Sequence, residues 1–186
     1  AYRTGESEKQ LAKKVDELIE KALQKGYDTL KAEHIADYTA LYDKVKFNIG
    51  AIDSNITTDR LLKKYRSGII KPEQKRYLEE LLYNYGRYLT IATSRSTDLL
   101  PSNLQGIWNN RDNPPWGSDY HMNVNLQMNY WPTYSTNLAE CAIPLIKYVD
   151  SLRKPGRVTA ATYAGIVSDE NEENGFVFHT QNTPFG

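Results

Sequence analysis

Along the first half of the chain, apolar residues return every three to four positions. Over residues 6–25 they are Leu11, Val15, Leu18, Ile19, Ala22 and Leu23, the spacing of one helix face. Gly26 is a natural stop and Asp28 a natural N-cap for a second helix. The stripe Leu30, His34, Ile35, Tyr38, Leu41, Tyr42 and Val45 carries that helix to residue 48. Two long helices with so short a break between them predict an antiparallel pair. Residues 50–58 read as a linker. A short charged helix is expected over 59–67, with Leu61, Leu62 and Tyr65 on one side. Pro72 stands where a first-turn proline belongs, and the stripe Leu78, Leu81, Leu82, Tyr85, Tyr88, Leu89 and Ala92 extends a long helix from there to residue 94.

The periodicity fails between Thr97 and Asn137. That stretch holds five prolines or glycines before Tyr120, all three tryptophans and eight asparagines. A loop of more than about twenty residues in a compact domain is usually functional or disordered, and the tryptophans argue against disorder. Helix is predicted again over 138–152 and 158–164, followed by an acidic turn over 168–174 and a short strand over 176–179. Helix dominates, so the pattern predicts an all-α fold.

Composition narrows the partners. Lysine and arginine total 23, as do aspartate and glutamate, and a neutral chain without a basic stripe gives no electrostatic basis for binding nucleic acid. A neutral ligand, held by hydrogen bonds and stacking, is the remaining option. The aromatic residues are 14 Tyr and 3 Trp against 4 Phe. These amphipathic rings suit a sugar, although half-buried helix packing accounts for most of the tyrosines. No apolar run is long enough to span a membrane. Cys141 is the one cysteine, so no internal disulfide forms. The chain starts at Ala1 without a signal peptide, which leads us to expect a piece of a longer protein whose targeting signal lies upstream.

Candidate chemistry lies in the irregular stretch. In extended backbone Asn123 and Asn125, two residues apart, place both amides on one face. Neutral amides can both donate to and accept from one water or one sugar hydroxyl, although such asparagines also serve as turn or capping residues. Trp108, Trp116 and Trp131 are candidate stacking platforms or loop anchors. His121, beside the amide pair, could donate to a hydroxyl or be structural; His34 and His179 carry the same alternatives. Three scattered histidines and one cysteine lack metal-ligand spacing, so no metal site is expected. No glycine-rich phosphate loop and no Gly-x-Ser-x-Gly elbow is present.

Taken together, LPSNLQGIWN, NPPWGSDYHMNVNLQMNYWP and TNLAEC (all within residues 100–145) closely resemble the catalytic domain of glycoside hydrolase family 95, typified by inverting 1,2-α-L-fucosidases. HIADYTALYDKVKFNIG resembles the stretch before that domain's barrel, YNYGRYLTIATSRS an early barrel helix, and GFVFHTQNTPFG a later active-site segment. The ordered motifs cover nearly everything from about Lys31 onward. The resemblance implies a multi-domain enzyme in which residues 1–50 are a helical linker and 51–186 the first half of an (α/α)6 barrel. It also implies hydrolysis of terminal α-1,2-linked L-fucose, or of α-L-galactose, from oligosaccharides and glycans, without a cofactor. Asn123 and Asn125 match the amide pair that helps an aspartate activate water, while the glutamate acid and that aspartate are expected beyond residue 186. His121, Trp116, Trp108 and His179 become substrate-binding candidates. Asp119 and Glu140 are not read as the catalytic pair: Glu140 is a structural or first-turn helix residue, and Asp119 bonds within the loop. The chain alone should be inactive, and its uncovered helix faces predict self-association. The family points to a secreted or cell-surface bacterial parent. The competing reading is a non-catalytic helical module that binds glycans or a protein, which would need the aromatics but not the Asn-x-Asn pair.

Overall fold

A computed structural model describes residues 6–51, 55–98, 100–169 and 174–182. It is mostly helical, so the fold is all-α, with one pair of two-residue strands among the described residues. Two compact units divide the chain, one running to Leu41 and the other starting at Tyr42.

In the first unit, α1 (Glu8–Lys25) opens on a reciprocal cap: Ser7 Oγ accepts from the Gln10 amide while Gln10 Oε1 accepts from the Ser7 amide, satisfying two donors that a helix start leaves orphaned. Helix α1 ends at Gly26, whose φ of 74° is open to glycine at little cost. The next helix, α2 (Tyr27–Tyr42), begins at once, with the Leu30 amide donating back to Gly26 O. The expected antiparallel pair is therefore not formed. One residue is too short for the two- to five-residue turn of a helical hairpin, and α1 buries none of its residues. Asp28 is not the cap either; it lies in the first turn of α2, where a carboxylate favours the helix dipole.

The second unit is organised around α4 (Pro72–Thr93), whose Pro72 occupies the predicted first position. The chain after Tyr42 does not stay helical to residue 48, because its carbonyls are drawn onto this helix. Buried Arg87 donates from Nη1 to Tyr42 O at 2.9 Å and Val45 O at 3.3 Å. Glu80 Oε1 accepts from the Ile49 and Ala51 amides, and Phe47 packs on Tyr83 with ring centroids 4.3 Å apart. The first residues of the expected linker are thus pinned; 52–54 lie outside the described residues. Helix α3 (Thr58–Arg66) follows and seals Leu61 completely.

The irregular stretch contains short elements that no period could reveal. Pro115–Ser118 is a 3-10 turn, β1 is Tyr120–His121, α5 is Asn125–Tyr130 and α6 is Pro132–Ser135. A second 3-10 turn, Ala139–Ala142, leads into α7 (Ile143–Ser151), so the helix expected over 138–152 has two parts. Helix α8 (Arg153–Ala164) starts five residues before the predicted 158. Pro155 and Gly156 look like breakers, yet a proline in the first turn lacks only an amide that would be orphaned anyway. The strand expected over 176–179 is also displaced. Val177 instead donates to Gly156 O at 3.0 Å, and β2 is Gln181–Asn182, antiparallel to β1 with His121 opposite Gln181. Gly156 permits that approach, since a Cβ there would lie 3.0 Å from Val177 O. Of the acidic turn, 170–173 lie outside the described residues.

The core gathers Tyr120, Met122, Leu126, Tyr130, Ala142, Tyr148 and Leu152, with Leu100, Leu145, Val149 and Phe178 against it. Tyr130 joins four segments through its hydroxyl. Its Oη accepts from the Ser102 amide at 2.7 Å and lies 2.8 Å from Ser94 Oγ. Ser94 gives its one proton to Cys141 O at 2.7 Å, so Tyr130 is the donor to Ser94. Burial raises the Tyr130 phenol above its ordinary range, and it raises Tyr120 and Tyr148 to about 12.

Two measurements check this core. Tyr130→Phe should lower unfolding stability by about 1–3 kcal/mol in urea, the cost of stranding a buried amide and hydroxyl; a change within about 0.5 kcal/mol would contradict the network. Tyr120 and Tyr148 hold their protons to higher pH when folded than at the ordinary phenol value of 10. Their contribution is complete below that value and is lost as pH rises toward about 12. The urea midpoint should therefore fall between about pH 9 and about pH 11, and less steeply in the Tyr120→Phe, Tyr148→Phe double variant.

Candidate functional site

The pairing of β1 with β2 and the turn before β1 together open a cleft of about 550 Å³, lined by Gln105, Trp116, His121, Asn123, Asn125 and Gln181 among others. Four of the six residues that the family resemblance marks as site candidates therefore share one cleft. Its size lies within the usual range of small-molecule sites, roughly 300–1,000 Å³.

Each wall has a local cause. Pro114 and Pro115 lead into the 3-10 turn, where Trp116, Gly117 and Ser118 all take positive φ, at 55°, 65° and 51°. Left-handed backbone is ordinary for glycine but strained for tryptophan, and strain of this kind collects at functional sites. Ser118 is held by donating from Oγ to Gln105 Oε1 at 2.7 Å. The turn presents Trp116 with 74% of its surface exposed, edge-on to His121 with ring centroids 5.3 Å apart at 81°. An exposed indole face beside polar groups is suited to the C–H face of a sugar.

His121 is the second residue of β1. Its Nδ1 pairs with Oδ1 of Asp119, and the other Asp119 oxygen accepts from Gln181 Nε2. Asp119 is buried, and a buried carboxylate is tolerated when its oxygens are hydrogen-bonded in this way. The backbone adds a further tie, from the Met122 amide to Thr180 O at 2.7 Å.

The two amides are not in extended backbone, contrary to the expectation. Asn123 lies in a turn and Asn125 is the first residue of α5. They reach the same cleft because the chain turns between them rather than alternating. Asn123 Oδ1 accepts from the Val124 amide at 2.9 Å, leaving its NH2 free to donate into the cleft. Two neutral amides, one imidazole and an indole face can orient a hydroxylated ligand and a water without imposing charge.

Trp108 is placed in a neighbouring cleft, which also shares Gln105 but is built on Thr93, Ser102 and Tyr130. Its ring packs over Gly106, where φ is 71° and a Cβ would lie 3.0 Å from the indole. His179 meets Tyr163 edge-on, with centroids 6.0 Å apart, while its chain neighbours Thr180 and Gln181 line the amide cleft. Trp131 is exposed and Glu140 lies in the first turn of Ala139–Ala142, paired with Lys44 at 2.9 Å. Sequence reasoning passed over Gln105 and Gln181. The signal for Gln181 was its place in the motif that also drew attention to His179. No group of three His, Cys, Asp or Glu among the described residues is arranged to hold a metal ion. No helix among them is long and apolar enough to cross a membrane.

Comparison with known proteins points the same way. Residues 26–186 match the model of the glycosyl hydrolase family 95 catalytic domain. The probable alpha-fucosidase A of Aspergillus niger is 37% identical over 174 residues, which cover 93% of this chain and 21% of that protein. Alpha-L-fucosidase 2 of Arabidopsis thaliana is 40% identical over 143 residues, or 75% of this chain and 17% of that protein. The probable alpha-fucosidase A of Aspergillus oryzae is 34% identical over 178 residues, or 94% and 23%. The chain thus spans about a fifth of the length of the curated relatives it matches. On the family match and these identities, the chain belongs to glycosyl hydrolase family 95.

Proposed function

We propose that this chain is the water-positioning half of the active site of an inverting exo-glycosidase that removes terminal α-1,2-linked L-fucose from oligosaccharides and glycans. One observation carries the reading: Asn123, Asn125, His121 and Trp116 line a single cleft. The names of the relatives support the sugar, since all three are fucosidases. The linkage and the inversion belong to the reading itself.

In an inverting mechanism a carboxylic acid protonates the leaving oxygen while a carboxylate draws a proton from water on the opposite face. The two stand roughly 6.5–9.5 Å apart so that the water fits between them. Asn123, whose carbonyl is taken by the Val124 amide, holds that water by donating to its oxygen, and Asn125 by donating to that oxygen or accepting from its second hydrogen, so that its lone pair faces the anomeric carbon. Trp116 stacks on the sugar, His121 bonds a hydroxyl, and Trp108 and His179 act at the cleft's margins on more distant parts of the substrate. The family resemblance puts the acid and the base carboxylate beyond residue 186, and within this chain Asp119 is engaged by His121 and Gln181 and Glu140 by Lys44.

The same reading makes residues 1–50 a helical approach and 51–186 the first half of an (α/α)6 barrel, within a secreted or cell-surface parent. The exposed Leu18, Ile19 and Leu23 of α1 are then faces that other parts of the parent cover, or through which the chain alone self-associates. α-L-Galactosides differ from fucosides by one hydroxyl at C6 and fit the cleft's neutral chemistry as an alternative substrate.

The test is release of fucose from 2′-fucosyllactose by the enzyme of full family length. Asn123→Ala and Asn125→Ala should each lower kcat by about 100-fold or more, the scale of lost proton-transfer assistance, while KM changes little. The first-formed sugar should be the β anomer. The 186-residue chain alone should show no turnover. Unchanged kcat in both variants would sink the role given to the amides.

A further inference from the structure

The Asp119 carboxylate is used by the protein rather than offered to the cleft. Its side chain is 6% exposed and that of His121 14%. Both carboxylate oxygens are taken, one by His121 Nδ1 and the other by the Gln181 side-chain amide. Because a carboxylate only accepts, the ring nitrogen that meets it must carry the hydrogen. Neutral imidazole has a single N–H, and the bond made by one nitrogen decides the character of the other.

We infer that Asp119 is the positioning residue of this site, holding His121 as its Nδ1–H tautomer so that Nε2 meets the sugar as a hydrogen-bond acceptor. This deepens the reading above, on which it rests, by assigning polarity to the cleft. His121 accepts a hydrogen bond from a sugar hydroxyl, whereas Asn123, its own carbonyl taken by the Val124 amide, donates. A ligand is then fixed by one hydroxyl that gives and one oxygen that accepts. Gln181 completes the clamp: it crosses from β2, opposite His121 in the ladder, and keeps the second carboxylate oxygen from competing for the imidazole. The imidazole is further confined by the Trp116 edge. The strained turn before β1, the β1–β2 pair and the carboxylate thus converge on the orientation of one ring.

Two experiments test the assignment. The chain has three histidines, so 15N-histidine labelling yields three imidazole spin systems, and His121→Ala identifies the relevant one. At neutral pH the His121 Nδ1 should resonate as a protonated, pyrrole-type nitrogen and Nε2 as a pyridine-type one. Asp119→Asn, which removes the charge and keeps the shape, should move the ring toward the Nε2–H form. A His121 protonated only on Nε2 in the unaltered chain, or an unchanged tautomer in Asp119→Asn, overturns the proposal.

In the enzyme of full family length, Asp119→Asn should lower kcat/KM by about 10-fold or more, and this loss should vanish when His121 is already alanine. Penalties that simply add would show that Asp119 does not act through His121. If the unaltered enzyme releases no fucose, the functional reading fails on its own, and the tautomer measurement still decides this one.

Discussion

The hydroxyl of Tyr130 is the constraint on which the second unit depends. It lies at the end of α5, yet it accepts from the start of the irregular stretch at Ser102 and donates to the end of α4 at Ser94, which in turn holds Cys141 O. Four segments are tied by three short bonds between buried groups. Such a chain of bonds is stronger than it would be in solvent, and costly if any member is missing. Burial also raises the phenol and the Cys141 thiol above their ordinary ranges, so both stay protonated and the hydroxyl can donate. A long stretch with no repeating pattern is thereby held in one conformation without an extended helix or sheet.

With its two ends tied down, the stretch can be bent sharply in the middle. Three successive left-handed residues turn the chain at Trp116, and the two-residue ladder of β1 and β2 returns it beside Thr180 and Gln181. A ladder this short has little stability by itself. It is reinforced by the Met122 to Thr180 backbone bond, by the Asp119 clamp and by the docking of Val177 on Gly156. The cleft is a consequence of these ties rather than of helix packing alone. This explains how neutral, flexible side chains such as asparagine can be aimed: their backbone is fixed from both sides.

The helices were most legible where an apolar stripe ran between clear start or stop residues. α1, α3 and α4 lie within a residue or two of their predicted bounds, because the 3.6-residue period and the Gly26 and Pro72 punctuation agree. α2 ended early because Arg87, buried and distant in sequence, takes carbonyls at Tyr42 and Val45. α5 and α6 were illegible because four to six residues cannot display a period, and the start of α8 was hidden by Pro155 and Gly156. The strand expected at 176–179 was misplaced since its alternation reflects Phe178 in the core and Val177 on Gly156, while the ladder bonds lie further on. For the cleft, the amide pair, His121 and Trp116 could be named from their motif, though the geometry expected for the amides was wrong. Asp119 and Gln181 are partners across 62 residues, a relation that no local pattern encodes.

In the proposed function, the Trp116–His121–Asn123–Asn125 cleft holds the sugar and its attacking water. The most direct measurement is a crystal structure of the enzyme of full family length with L-fucose bound. The expected result is the ring stacked on Trp116, a hydroxyl donating to His121 Nε2, and a water held between the Asn123 and Asn125 amides on the anomeric face. Fucose seated elsewhere, with neither amide within hydrogen-bond reach of the sugar or of a water beside its anomeric carbon, would contradict it.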